Sequence, residues 1–274
     1  ASAILVRFSQ APSGVTAAYR LGWTVLLLLP VVLLRCRAEL RRVTARDLVL
    51  CGASGVLLAL HFLTWFESLK RTSVASSTVL VSTEVIFTAL GFALFLHGKI
   101  PRLGVWAILL AFGGSALLAL SGGGGAGELS GNLLALAAAS AAAVYTLIGR
   151  IQRGHLSTTV YTFLTYLACF LTLLLGTAAA GTPLTGYGGR EWLIGLALAV
   201  LCTLLGHSLF SWCLKYLSPS YVSAAKLCEP VFSSLAAIPL FGEVPGPLQL
   251  AGGAAVLGAV LLYTWAEREK TPAG

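Results

Sequence analysis

Apolar stretches about twenty residues long follow one another along nearly the whole chain, with only a few polar residues between them. That length is what a helix needs to cross the hydrocarbon of a bilayer. A backbone in lipid must also satisfy its own hydrogen bonds, so the pattern points to a bundle of membrane-spanning helices. The composition agrees, with 57% hydrophobic and 10% charged residues, where soluble domains carry about 25% charged.

A partial span at 1–8 is followed by spans near 14–34, 47–69, 74–96 and 103–121. A second group lies near 131–150, 157–180, 191–214, 219–241 and 247–265. The expected fold is an all-α polytopic membrane protein of ten transmembrane helices. The opening "ASAILV" is too short to span and reads as the end of a truncated helix rather than a signal peptide. The low-complexity "SGGGGAGELSG" (121–131) separates the groups. It gives a first half 1–121, a linker 122–130, a second half 131–266 and a cytoplasmic tail 267–274.

The two groups resemble each other. Shifted by 145 positions, Lys70 meets Lys215, Glu84 meets Glu229, Phe87 meets Phe232 and Leu90 meets Leu235 without a gap. His61 and His207 align with a one-residue slip. An odd number of spans per unit turns the second copy upside down. Inverted repeats of this kind are typical of transporters, with substrate handled near the midplane at the repeat interface.

The net charge of +8 does not imply nucleic acid. The densest basic run, "RCRAELRRVTAR" (35–46), lies between two spans, as a cytoplasmic loop does, and no nucleic-acid-binding signature accompanies it. With the N-terminus inside, the inner face collects Arg35, Arg37, Arg41, Arg42, Arg46, Lys99, Arg102, Arg150, Arg153, Lys215, Arg268 and Lys270. The outer helix ends keep Arg7, Arg20, Lys70, Arg71 and Arg190. This imbalance places both termini in the cytoplasm. The six cysteines lie singly, which argues against disulfides and zinc. No cofactor or metal is expected, and no phosphate-cradling motif for ATP hydrolysis is present.

"KLCEPVF" (226–232) sets a lysine, a glutamate and a proline inside an otherwise apolar span. Glu84 and Glu229 each fall about ten residues into a span, roughly 15 Å deep. A charge there costs about 2.5–3.5 kcal/mol on insertion scales and normally faces a bundle interior or a water-filled cavity. Lys226 precedes Glu229 by three and is expected to pair with it on one helix face. Pro230 is expected to bend the helix and free a carbonyl near residue 226. His61, Trp65, His207, Trp212, Tyr145 and Tyr221 are candidate cavity walls, although packing or an interfacial belt accounts for each singly. Glu229 reads as a proton site or polar anchor, and Lys226 as its partner and a carboxylate contact.

One motif would change the class. "GASG" (52–55) matches the G-x-S-G of intramembrane serine proteases, with Ser54 as nucleophile. Such a serine needs a base, and His61 is nearly two turns farther along the same helix. Small residues at a helix crossing explain the match equally well. An uncoupled metabolite channel is the other alternative.

The wording "GHSLFSWCLKYLSPSYVSAAKLCEPVFSSLAAIPLFGEVPGPLQLAGGAAVLGAVLLY" (206–263) resembles the closing segment of EamA-type members of the drug/metabolite transporter superfamily. So does "ALHFLTWFESLKRTSVASSTVLVSTEVIFTALGFALFL" (59–96) in the first half. The resemblance implies a ten-helix secondary carrier of bacterial inner membranes with one central cavity, usually an exporter of amino acids or related metabolites. Its partners would be a small-molecule metabolite, the lipid bilayer and protons as a candidate coupling ion, with no nucleic acid. The assembly would be a monomer or a homodimer. Three departures stand out. Gly98-Lys99 replaces the Gly242-Glu243 of the second half, Glu84 is followed by Val85 rather than proline, and Lys226 is not a general family residue. The second departure confines the expected proline kink to the ninth span.

Overall fold

The computed structural model describes residues 2–95, 101–121, 126–217, 219, 222, 226 and 228–268. The described elements are all helical. In the first part they are α1 (Ser2–Phe8), α2 (Ser13–Arg35), the short α3 (Arg37–Leu40), α4 (Ala45–Arg71), α5 (Val74–Val81), α6 (Glu84–Phe95) and α7 (Arg102–Ser121). Then come α8 (Ala126–Gln152), α9 (Thr158–Ala179) and α10 (Gly189–Ala197). A π-helical stretch, Leu198–His207, runs on into α11 (Ser208–Cys213), and α12 (Cys228–Phe241) and α13 (Pro247–Arg268) close the bundle. Helix α8 begins five residues before the expected span, inside the glycine-rich stretch.

Seven segments are long and apolar enough to cross a membrane: Ser13–Arg35, Ala45–Arg71, Val74–Phe95, Gly127–Gln152, Thr158–Ala179, Gly189–Cys213 and Pro247–Ala266. Arg102–Ser115 and Phe232–Phe241 are shorter apolar helices. Their outward faces carry large exposed apolar side chains, among them Leu34, Phe95, Trp106, Leu175, Leu193 and Phe232. In water such a surface would aggregate; in a bilayer it is the solvated face.

The core forms where α2, α4, α8 and α9 meet, around Leu21, Leu58, Phe62, Phe66, Tyr166 and Leu173. Helices α4 and α9 touch at Gly55. A Cβ there would lie 2.5 Å from the Ala168 Cβ and 2.6 Å from the Thr165 carbonyl oxygen. The GASG wording is therefore a close helix crossing, in which only glycine fits at position 55.

Two irregularities shape the interior. The span 74–95 is broken at Ser82–Thr83, although it holds no proline. The hydroxyls of Ser82 and Thr83 bond back to the carbonyls of Thr78 (2.8 Å) and Leu80 (2.7 Å), competing with the helical ladder. This break needs no proline. The second irregularity is the π stretch, where Thr203 Oγ1 donates to the Leu198 carbonyl five residues back. Pro230 lies in the first described turn of α12. Residues 223–225 and 227, on which the expected bend falls, lie outside the described residues.

Polar clasps fasten both ends of α4, which is about 40 Å long. At its N-terminus Thr44 and Asp47 form a reciprocal capping box. Asp47 Oδ1 also accepts from Gln152 Nε2 (3.2 Å) and pairs with His155 Nε2 (2.7 Å). At the opposite end Lys70 Nζ donates to the Ala11 carbonyl (2.6 Å). Nearby Glu191 accepts from Ser9 Oγ (2.5 Å) and the Gln10 N–H (3.0 Å). Gly242 adopts φ 68 and ends α12, with its N–H on the Ile238 carbonyl. The chain then turns so that Glu243 pairs with Arg7 and accepts the Val74 N–H at the start of α5 (2.7 Å).

Candidate functional site

Midway along the bundle, side chains from α2, α4, α6, α8, the π stretch and the start of α12 surround a polar cavity. One part, of about 50 Å³, is lined by His61, Trp65, Glu84, Tyr145, His207, Lys226 and Glu229. The adjoining part, of about 200 Å³, shares Trp65, His207, Lys226 and Glu229 and adds Arg20, Ser2, Cys202 and Phe210.

Glu84 is the first residue of α6, where the helix N-terminus favours a carboxylate. Lys226 Nζ donates to its two oxygens at 2.8 and 2.9 Å, and Thr146 Oγ1 donates to Oε1 at 2.9 Å. The expected pairing of Lys226 with Glu229 is corrected by this contact. Lys226 is a 3₁₀ residue outside the α-helix described from Cys228, and its ammonium reaches across to α6 rather than along to Glu229. Glu229 lines both parts of the cavity and has no hydrogen-bond or ion-pair partner among the described residues.

His61 Nδ1 lies 3.0 Å from the Ala138 carbonyl. A carbonyl only accepts, so Nδ1 carries the proton and Nε2 of the neutral ring is an acceptor. The His61 ring lies 5.7 Å from Trp65 and 6.3 Å from His207. Tyr145 Oη is 3.2 Å from Ser211 Oγ. Trp65 is buried, and its Nε1 has no partner among the described residues.

One sequence candidate is not brought here. Trp212 is 48% exposed and packs on Tyr216, with ring centroids 5.0 Å apart, as part of the outer surface. Tyr221 lies outside the described residues. Ser54 bonds to Tyr161 Oη (3.0 Å), a phenol rather than a base, so no nucleophile is assembled.

One residue of the site escaped the sequence reading. Arg20, counted there among the outer helix ends, lies about 10 Å along α2 from Ser13 and is 0% exposed. Its Nε donates to Thr203 Oγ1 (2.7 Å) and its Nη1 to Ser2 Oγ (3.2 Å), with the guanidinium 4.2 Å from the Phe62 ring centroid. Apolar residues flank Arg20 within its span, the same signal that singled out Glu84.

A helical membrane bundle with paired and unpaired charges around a central cavity defines a transporter-like architecture. The EamA-like transporter family matches residues 2–120 and 129–265, and the chain belongs to that family. The pseudopaline exporter CntI of Pseudomonas aeruginosa (strain UCBPP-PA14) is 24% identical over 76% of this chain and 72% of its own. A protein named "Probable terminal-alkyne amino-acid exporter" from Streptantibioticus cattleyicolor is 28% identical over 81% of this chain and 75% of its own. A solved crystal structure superposes with a TM-score of 0.67, covering 98% of this chain and 96% of that one. At 19% identity this is a likeness of fold. The protein is thus a multi-pass membrane protein of a transporter family whose relatives are named exporters, and that family is not one of enzymes.

Proposed function

We propose that the protein is a secondary active exporter carrying amino acids or related small metabolites across the bacterial inner membrane by alternating access. The observation that carries this reading is the central cavity, lined by Arg20 and Glu84 from before the glycine-rich linker and by Lys226 and Glu229 from after it. Charges at such depth in a membrane bundle mark substrate or ion pathways. The names of the relatives favour outward transport of a small organic solute.

The ten helices act as two inverted five-helix repeats, residues 1–121 and 131–266, joined by the linker 122–130, with a cytoplasmic tail at 267–274. Three observations support this. The family matches fall on either side of the linker. Glu84 opens α6 and Glu229 lies in the first turn of α12, at repeat-related positions. The end clasps also correspond: the 145-residue shift carries Gln10 onto His155 and Asp47 to within one position of Glu191. With both termini in the cytoplasm, the Asp47 clasp is internal and the Glu191 clasp external.

In this mechanism Glu229 is the proton site or polar anchor, and the Lys226–Glu84 pair joins the halves across the cavity. The unit is a monomer or a homodimer. Comparing metabolites in the medium of cells with and without the protein tests the function. A small polar metabolite should accumulate outside expressing cells and show saturable counterflow in proteoliposomes. Flux that never saturates would favour a channel, and no accumulation would remove the exporter reading.

A further inference from the structure

Arg20 presents an unmet electrostatic demand in the cavity. A guanidinium has five N–H hydrogens, and two are used, by Thr203 and Ser2. The others have no acceptor among the described residues, and no carboxylate lies within the 4.0 Å of an ion pair. The Phe62 ring compensates the buried charge only in part. Trp65 lines the same cavity, and its Nε1, a group that can only donate, is buried without an acceptor among the described residues. Lys226 differs, since both Glu84 oxygens already hold it.

From this geometry we infer that Arg20 and Trp65 form the anchor for a carboxylate on the transported solute, in place of Lys226. The inference rests on the exporter reading and assigns the site's specificity. A carboxylate supplies two planar oxygens with about four lone-pair positions, which match a guanidinium edge together with an indole N–H. Glu229 lines the same cavity but makes no ion pair with Arg20. A solute with opposed charges bridges that separation, its carboxylate on Arg20 and its cationic group toward Glu229. The cavity of about 200 Å³ has room for such a molecule, given that a water in the liquid occupies about 30 Å³.

The test uses the full chain expressed in bacterial cells, with mass spectrometry of the medium against an empty-vector control. Every compound enriched by the protein should carry a free carboxylate. Arg20→Gln should lower its export about ten- to hundred-fold, and Trp65→Phe about three- to ten-fold, at equal membrane levels. Arg20→Lys should retain more export than Arg20→Gln, and carboxamide forms of the same compounds should fail to compete in proteoliposomes. Should Arg20→Gln fail to reach the membrane, Trp65→Phe and the carboxamide comparison decide the matter on well-folded protein. Enriched compounds without a carboxylate, equal competition by carboxamides, or wild-type export by Trp65→Phe and Arg20→Gln would overturn the anchor while leaving the exporter standing. Absence of any enriched compound would overturn the exporter and the anchor with it.

Discussion

Glu84 and Glu229 occupy corresponding places, one opening α6 and the other in the first turn of α12, and both face the central cavity. Their surroundings differ. Glu84 receives two contacts from Lys226 and one from Thr146, while Glu229 receives none among the described residues. An ion pair buried in a membrane bundle is a structural element, because removing either partner strands a charge. A carboxyl with no fixed partner remains available to a proton or to a solute cation. On the proposed function, the repeat places the same residue twice, and pairing with Lys226 assigns Glu84 to structure and leaves Glu229 to exchange.

Removing the lysine breaks this division most severely. Lys226→Ala removes the ammonium that pairs with the buried Glu84 and should destabilise the protein by about 3–5 kcal/mol, read as a lowered Tm in detergent with loss of transport. The double variant Lys226→Ala/Glu84→Gln should recover much of that stability. A double variant no more stable than Lys226→Ala would refute the coupling. A smaller effect is expected of Thr146→Val, which removes one hydrogen bond to Glu84 and should cost about 1 kcal/mol. Glu229→Gln should leave stability within about 0.5 kcal/mol of wild type while impairing transport. A Tm loss as large as that of Lys226→Ala would make Glu229 structural too. Smallest of all, Trp212→Phe on the outer surface should change neither transport nor stability measurably.

The helical spans and the two repeat-related glutamates were legible because apolar length and internal similarity are written directly into the chain. Lys226 was misassigned because helical spacing looks only along one helix, whereas the actual partner lies 142 positions away on α6. The break before Glu84 comes from two hydroxyls bonding backwards, a weaker signal than proline. His207 faces the cavity as expected, whereas Trp212, expected beside it, faces outward, because the π stretch from Leu198 to His207 changes the angular spacing between them and the rest of the span. Arg20 went unrecognised because counting basic residues by side assigns each to the nearer helix end and never asks whether it is buried.

The division between the two glutamates is tested most directly by transport in proteoliposomes under an imposed pH gradient. The solute would be the metabolite that accumulates outside expressing cells, with wild type, Glu229→Gln and Thr146→Val compared. Wild type and Thr146→Val should be driven by the gradient, and Glu229→Gln should exchange solute at a rate independent of it. A Glu229→Gln protein that responds to the gradient as wild type does would contradict the assignment of exchange to Glu229.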